Sequence, residues 1–215
     1  MILVDFHTHS SASKDSLTTP EALVRSARRR KLNHAMITDH NTISGARAAQ
    51  LLDPELVIIG EEIMTTKGEI LAFFLTSEIP SRLSPLDTIQ LLRDQDAFIS
   101  VSHPFDSWRK GAWKIDDLLE IAPLVDASEV FNARCMAPAA NQQASLFAHE
   151  HNLLGTAGSD AHAAFELGAA GLLLPHFTNA DELRIAIKES KVKGHLSPFW
   201  VHFFSRYAHR HKKVV

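Results

Sequence analysis

Thiols are almost absent from this chain. Of 215 residues only Cys135 is a cysteine, so no internal disulfide can staple the fold. A reducing, cytoplasmic setting is the expectation that follows. Strong charge of one sign is missing too, the formal net charge being −3. That argues against a dedicated basic nucleic-acid binder, but not against an enzyme that cuts nucleic acid at a local site. No apolar run of about 18 residues or more occurs, so no transmembrane segment is expected. The opening MILVDFHTHS lacks a basic head and a long apolar stretch, so no signal peptide is expected. No internal repeat, low-complexity stretch or clear linker is found. What is present is ordinary in bulk: 45% hydrophobic and 22% charged residues, as in a soluble globular protein. The length suits one domain with a sizeable core, or one domain and a short appendage. One count stands apart, the 13 histidines.

Short runs rich in Val, Ile, Leu and Phe read as buried strands. They fall at residues 2–6, 35–38, 56–60, 70–75, 97–101, 127–131, 154–157 and 171–174. Helical patterns separate most of them. Residues 20–31 form an amphipathic stretch with Thr19 as N-cap and Pro20 at the first helical position. Ser84 and Pro85 repeat that device for residues 85–96. Residues 139–151 and 180–190 are further helices, the last opened by Asn179 and Glu182 in the manner of a capping box. Alternating strands and helices imply a mainly parallel sheet with helices outside, and the strand count favours a closed or nearly closed barrel. The pair 56–60 and 70–75, joined through 64–68, is hairpin-like and irregular. From Pro198 the chain turns aromatic and then basic, PFWVHFFSRYAHRHKK. Residues 1–197 are therefore read as the barrel and 198–215 as a C-terminal helix packed on it.

Histidines and carboxylates concentrate at the ends of these strands. Asp5, His7 and His9 end the first, Asp39 and His40 follow the second, and Glu61 and Glu62 follow the third. His103, then Glu129 and Asn132, then Asp160 and His162 stand at later strand ends. In a parallel barrel those ends open on one face, where active sites are built. His7 and His9, two apart on an extended segment, offer two imidazoles to one side. Asp160 and His162 repeat the spacing with mixed ligands. A set of His and carboxylate with few thiolates suits Zn²⁺, Mn²⁺ or Fe²⁺ without choosing among them. Any one of these residues taken singly is an ordinary core histidine or loop carboxylate. Coincidence does not account for four or five such groups all at strand C-termini.

The motifs DFHTHS (5–10), TDHNT (38–42), GEE (60–62), SHPF (102–105) and GSDAH (158–162), with EVFN at 129–132, resemble the PHP (polymerase and histidinol phosphatase) family in order and context. The likeness runs from residue 2 to about 190 and is to the small stand-alone members. It implies a distorted (β/α)7 TIM-like barrel and two or three divalent metal ions. Carried over by position, one ion would take His7, His9, Glu62 and Asp160. A second would take Glu62 and His103, with Glu69 where many relatives supply a histidine. A third would take Asp15, His40 and His162. Glu62, two after Gly60, matches the family's bridging glutamate better than Glu61. Asp5 and Asp39 fit as partners that orient imidazoles. Glu129 and Asn132 either do similar work or touch substrate.

The chemistry so implied is metal-dependent hydrolysis of phosphate esters, in which the ions bring a bridging water to hydroxide near neutral pH for attack on phosphorus. Arg134 and His162 are the catalytic candidates. Arg134 matches phosphate oxygens with a bidentate guanidinium, ahead of Arg109 and Lys110. Neither Ser159 nor Cys135 shows an activating arrangement, which argues against a serine or cysteine hydrolase. The expected substrate is a phosphorylated small molecule or short nucleic acid, with a lean to nucleotides and short oligonucleotides. The alternatives are a small-molecule phosphatase of the histidinol phosphate kind and a non-catalytic, metal-stabilised binding module. Oligomeric state is not legible. The aromatic and basic residues of 198–213 suit either a helix packed on the barrel or docking on RNA or an anionic membrane.

Overall fold

The computed structural model describes residues 1–109 and 111–212. Lys110 and Lys213, both weighed above, lie outside the described residues. Among the described residues nine strands form one sheet: β1 (Ile2–Thr8), β2 (His34–Ile37), β3 (Val57–Met64), β4 (Glu69–Phe73), β5 (Phe98–Val101), β6 (Ala127–Asn132), β7 (Leu154–Gly158), β8 (Ala170–Leu174) and β9 (Lys191–Gly194). Their order is β7-β6-β5-β4-β3-β2-β1-β8-β9. β1, β2 and β3 pair in parallel, as do β5, β6 and β7. β4 runs antiparallel to both its neighbours, and β8 to β1. The sheet curls until the segment after β7 meets β1. There the Asp160 N–H donates to the His7 carbonyl at 2.7 Å, and the His9 N–H to the Ala161 carbonyl at 2.9 Å. The result is a nearly closed, distorted barrel, as the family resemblance implies.

The helices among the described residues are α1 (Pro20–Arg29), α2 (Ser44–Leu52), α3 (Pro85–Arg93), α4 (Ile115–Ile121), α5 (Pro138–Glu150), α6 (Ala180–Ala186) and α7 (Val201–His211). Thr19 caps the Ala22 N–H and Ser84 the Asp87 N–H, so both proline-marked starts fall where expected. α1 and α3 stop short of the expected ends because Lys31 and Asp96 adopt positive φ, 59° and 56°. Asn179 caps the Glu182 N–H, but the Glu182 carboxylate returns to Thr178, one residue earlier than in a capping box. α2 and α4 were not foreseen. Neither has a side-chain N-cap, so the usual start signal is missing. α7 begins three residues after Pro198.

Phe6, Phe73 and Phe98 are fully buried in one apolar cluster with Val4, Met36 and Leu71. Phe6 meets Phe73 edge-on at 5.5 Å between centroids. Each such ring contributes roughly 1.5–3 kcal/mol by its burial. This apolar filling makes the barrel a packed support rather than a channel, and confines polar side chains to its rim.

Candidate metal centre

The direction of each strand decides what reaches the rim. The C-terminal ends of β1, β2, β3, β5, β6 and β7 deliver His7 and His9, His40, Glu62, His103, Glu129 and Asp160. β4 runs the other way, so its first residue, Glu69, arrives at the same rim. Glu69 is 6% exposed, a buried strand residue and not an exposed hairpin position. Register slips between Asp5 and Thr8 in the β1–β2 pair, and between Glu129 and Phe131 in the β6–β7 pair. Such irregularities re-aim side chains, and here they fall where His7 and Glu129 stand. Gly158 is required beside them, because a Cβ there would lie 2.3 Å from the Cβ of His7. His103 and Asp160 both take positive φ, 23° and 52°, a conformation that costs energy outside glycine and clusters at functional sites.

Four fully buried side chains converge first. His7 Nε2 and His9 Nε2 are 3.1 Å apart. Glu62 Oε2 lies 3.3 and 3.4 Å from them, and Asp160 Oδ1 3.6 and 3.2 Å. The tautomers follow from the partners of the other ring nitrogens. His7 Nδ1 faces Glu129 Oε1 at 3.0 Å and must donate to it. His9 Nδ1 faces Ser13 Oγ at 3.1 Å, and that hydroxyl already donates to Asp39 Oδ1 at 2.6 Å, so it accepts from His9. In the neutral tautomers so set, both Nε2 atoms would direct lone pairs at each other and at two carboxylate oxygens that have no hydrogen-bond partner. Such an arrangement calls for positive charge at its centre, supplied by a proton on His7 or by a metal ion. The separations match the edges of a tetrahedron around an ion with bonds of about 2.0–2.1 Å, which are about 3.3–3.4 Å long. The residues present thus fit a divalent metal.

The electrostatics agree. Burial opposes charge on His7, yet Glu62, Asp160 and Glu129 outweigh it and push its imidazole well above its ordinary range. The same negative field attracts a metal cation. Burial, with His162 and His40 nearby, pushes His9 down to about 3. Burial also opposes charge on Asp160, but Arg109 and His7 hold its carboxyl well below the usual range. Arg109 donates to Asp160 Oδ2 at 2.5 Å and Asn132 Nδ2 to the same oxygen at 3.2 Å, leaving Oδ1 open toward the imidazoles.

Two further groupings share this centre. His103 Nε2 lies 3.0 Å from Glu62 Oε1 and 3.5 Å from Glu69 Oε2. Burial and the neighbouring Glu62 raise the Glu69 carboxyl. Asp15 Oδ2 lies 3.4 Å from His40 Nε2 and 3.3 Å from His162 Nε2. His162 Nδ1 donates to the Asp160 carbonyl at 2.8 Å, so its Nε2 is also a lone pair. His40 reaches beyond the expected set, since its Nδ1 is 3.0 Å from Glu62 Oε2. Glu62 thereby adjoins His7, His9, His40 and His103 at once.

The supporting carboxylates divide differently from expectation. Glu129 orients His7 directly, and Asp39 orients His9 through Ser13. Asp5 reaches no imidazole. It accepts from Ser159 N–H and Oγ, from Gly168 N–H and from His7 N–H, so it fixes backbone, while burial pushes its carboxyl up to about 6. Gly45 keeps the Asp39 network open, since a Cβ there would lie 2.0 Å from Ser10 Oγ. Ser159 is wholly buried and donates to Asp5, and burial pushes the Cys135 thiol up, so neither offers an accessible nucleophile.

A cavity of about 400 Å³ opens over the cluster, lined by Asp15, His40, Glu69 and His162 and by both candidate arginines, Arg109 and Arg134. Arg109 is the nearer to the cluster, through Asp160. Arg134 is buried and holds Glu166 at 3.2 Å and Ser205 Oγ at 2.8 Å. Trp108, 79% exposed, and Phe199, 58% exposed, flank the opening. α7 and the turn before it supply Phe199, His202, Ser205 and Arg206 to the cavity wall, a role that composition alone did not disclose.

Comparison with known proteins bears on this site. Residues 5–84 match the PHP domain, and residues 138–192 match a PHP-associated segment. The uncharacterized protein MJ0417 of Methanocaldococcus jannaschii is 36% identical over 170 residues, 78% of this chain and 68% of that protein. Among solved structures, a two-domain protein of Bacteroides vulgatus containing a predicted PHP-like metal-dependent phosphoesterase superposes with TM-score 0.73 at 19% identity. The match covers 90% of this chain and 65% of that one, so the chain spans just under two thirds of that protein's length. PsfC from Pseudomonas syringae superposes with TM-score 0.70 at 17% identity, over 97% and 98% of the two chains. At these identities the structural matches speak to the fold.

Proposed function

Because this chain belongs to the PHP domain family of metal-dependent phosphoesterases, we propose that it hydrolyses phosphate esters with bound divalent ions, on nucleotide or short oligonucleotide substrates. The observation that carries the reading is the convergence of His7 Nε2, His9 Nε2, Glu62 Oε2 and Asp160 Oδ1 beneath an arginine-lined cavity. One ion would be held by those four residues. Glu62, His103 and Glu69 would hold a second, and Asp15, His40 and His162 a third. Zn²⁺, Mn²⁺ and Fe²⁺ all suit this donor set. When bound, the ions supply Lewis acidity and a nucleophilic water near neutral pH.

The chain's own residues do the rest. Arg134, with Arg109 closer in, would bind nonbridging phosphate oxygens through planar guanidinium forks. His162 stands between Asp160 and Asp15, where it would act as ligand and keep that edge of the site aligned. Glu129, and Asp39 through Ser13, hold two imidazoles in the tautomer that leaves Nε2 free. The exposed rings of Trp108 and Phe199 beside the cavity favour a substrate carrying a base, because bases stack on aromatic faces. In this reading residues 1–197 are the catalytic barrel and 198–215 an appendage whose helix α7 walls the site.

The test is turnover by metal-stripped protein with Mn²⁺, Zn²⁺, Fe²⁺ or Mg²⁺ restored. The panel should hold a nitrophenyl phosphate, mononucleotides, histidinol phosphate and short oligonucleotides. Metal-restored turnover with nucleotides or oligonucleotides best supports the proposal. A best rate on histidinol phosphate would move it to the small-molecule phosphatases. Stoichiometric metal binding with no turnover on any member would point to a metal-stabilised binding module.

A further inference from the structure

The end of α7 does more than wall the cavity. The Lys212 ammonium reaches across the rim to the loop after β1 and donates to the carbonyls of Ser11, Ser13 and Ser16. The Ser13 contact is 2.6 Å and the Ser16 contact 3.3 Å. An ammonium has three N–H donors and no acceptor, so three converging carbonyls match it. A planar guanidinium does not fit such a cage. Without a cation, the three carbonyl dipoles would face one another.

Asp15 stands between Ser13 and Ser16, so Lys212 holds the backbone on both sides of it. The rest of the loop is tied to the barrel: Ser10 and Ser13 donate to Asp39, and Ser16 Oγ to the carbonyls of His9 and His162. Asp15 itself has one oxygen on His40 and His162 and the other, buried, with no partner. α7 is anchored elsewhere too. Val201 and Ala208 are buried, Trp200 and Phe204 pack on Phe165, and Ser205 accepts from Arg134.

We infer that Lys212 is a positioning residue for the Asp15–His40–His162 metal position, a latch by which α7 holds the Asp15 loop in ligating geometry. The inference rests on reading Asp15 as a ligand, and its test is built so that the two stand or fall separately.

Lys212→Met keeps the stem and removes the donors. In metal-free protein, amide exchange over residues 11–17 should accelerate about tenfold or more in this variant, with the rest of the barrel unchanged. In Mn²⁺ titrations one of its ions should lose about 10- to 100-fold in affinity while the binding of the others is kept. Turnover should then recover at saturating Mn²⁺, with a raised activation constant and the parent kcat. Lys212→Arg should behave like Lys212→Met. A parental Lys212→Arg would show that charge alone suffices and would overturn the three-donor latch. So would wild-type exchange and wild-type Mn²⁺ affinity in Lys212→Met. Asp15→Asn is the control for the metal reading. If it leaves every Mn²⁺ affinity intact, Asp15 is not a ligand, and the exchange comparison alone decides whether Lys212 is a latch.

Discussion

The two ends of this barrel carry histidines and cavities alike, but only one sets its histidines among carboxylates. The lower end has the roomier hollow, about 970 Å³, with His34, His176 and Phe177 in its wall. The His34 and His176 rings stand 6.3 Å apart. Neither forms an ion pair with a carboxylate among the described residues, and burial lowers the His34 imidazole. At the upper rim, a hollow of about 400 Å³ covers imidazoles interleaved with Asp15, Glu62, Glu69, Glu129 and Asp160. The contrast teaches that neither histidine count nor cavity size makes a metal centre. What distinguishes the upper cluster is ring nitrogens held against carboxylates, with the spare nitrogens of His7, His9 and His162 committed to other partners.

That comparison can be broken most sharply at Glu62, which touches all three groupings. Glu62→Gln should lower turnover by roughly 10³-fold or more, since several kcal/mol of transition-state stabilisation depend on the ions it holds. Metal content measured beside turnover should fall in parallel, and full activity with intact metal content would sink the assignment. Chelation should act on the upper end alone. Removing ions present at about 100 times their dissociation constant should withdraw about 2.7 kcal/mol and lower the melting temperature by roughly 5–10 °C. A melting temperature indifferent to chelator would mean that the folded cluster binds no metal tightly.

Arg134→Lys separates phosphate binding from metal binding. It keeps the charge beside Glu166 but loses the bidentate fork, so kcat/KM on a good phosphoester should fall about tenfold or more with metal affinity unchanged. Unchanged kinetics would remove Arg134 from the site. At the lower end, His34→Gln and His176→Gln should leave turnover within about twofold, because these residues lie outside any charge cluster. A loss comparable to that at Glu62 would overturn the contrast. The smallest effect concerns pH. The folded-state value of His34 is depressed, so its contribution to stability is present above the unfolded-state value of about 6.5 and is lost as pH falls below it. Denaturant melts of His34→Gln should lose less stability than the parent between pH 7 and pH 5.

Much of the site was legible because its signals are local. Two histidines with one residue between them on a strand must share a side, whatever the fold, and Thr19–Pro20 or Ser84–Pro85 mark helix starts by chemistry that needs no neighbours. Glu62 and Asp160 were legible through their place at strand ends and their family motifs. Other features left no local signature. α2 and α4 begin without side-chain caps. The register slips at His7 and Glu129 exist only once strands are paired. Asp5, two residues before the His-x-His pair, turns out to hold the backbone of Ser159 and Gly168, more than 150 residues away.

The sequence by itself determined the kind of chemistry: which donors exist, that thiols are not among them, and that alternating strands and helices would bring the donors to one rim. Tertiary structure alone decided how those donors are used. It decided which ring nitrogen faces which oxygen, because the His7 tautomer depends on Glu129 from another strand and the His9 tautomer on a serine held by Asp39. It brought Arg109 to Asp160 and set α7 across the mouth with Lys212 on the Asp15 loop. Composition and period report what a segment can bury, whereas a contact between residues 200 positions apart depends on how the whole chain packs.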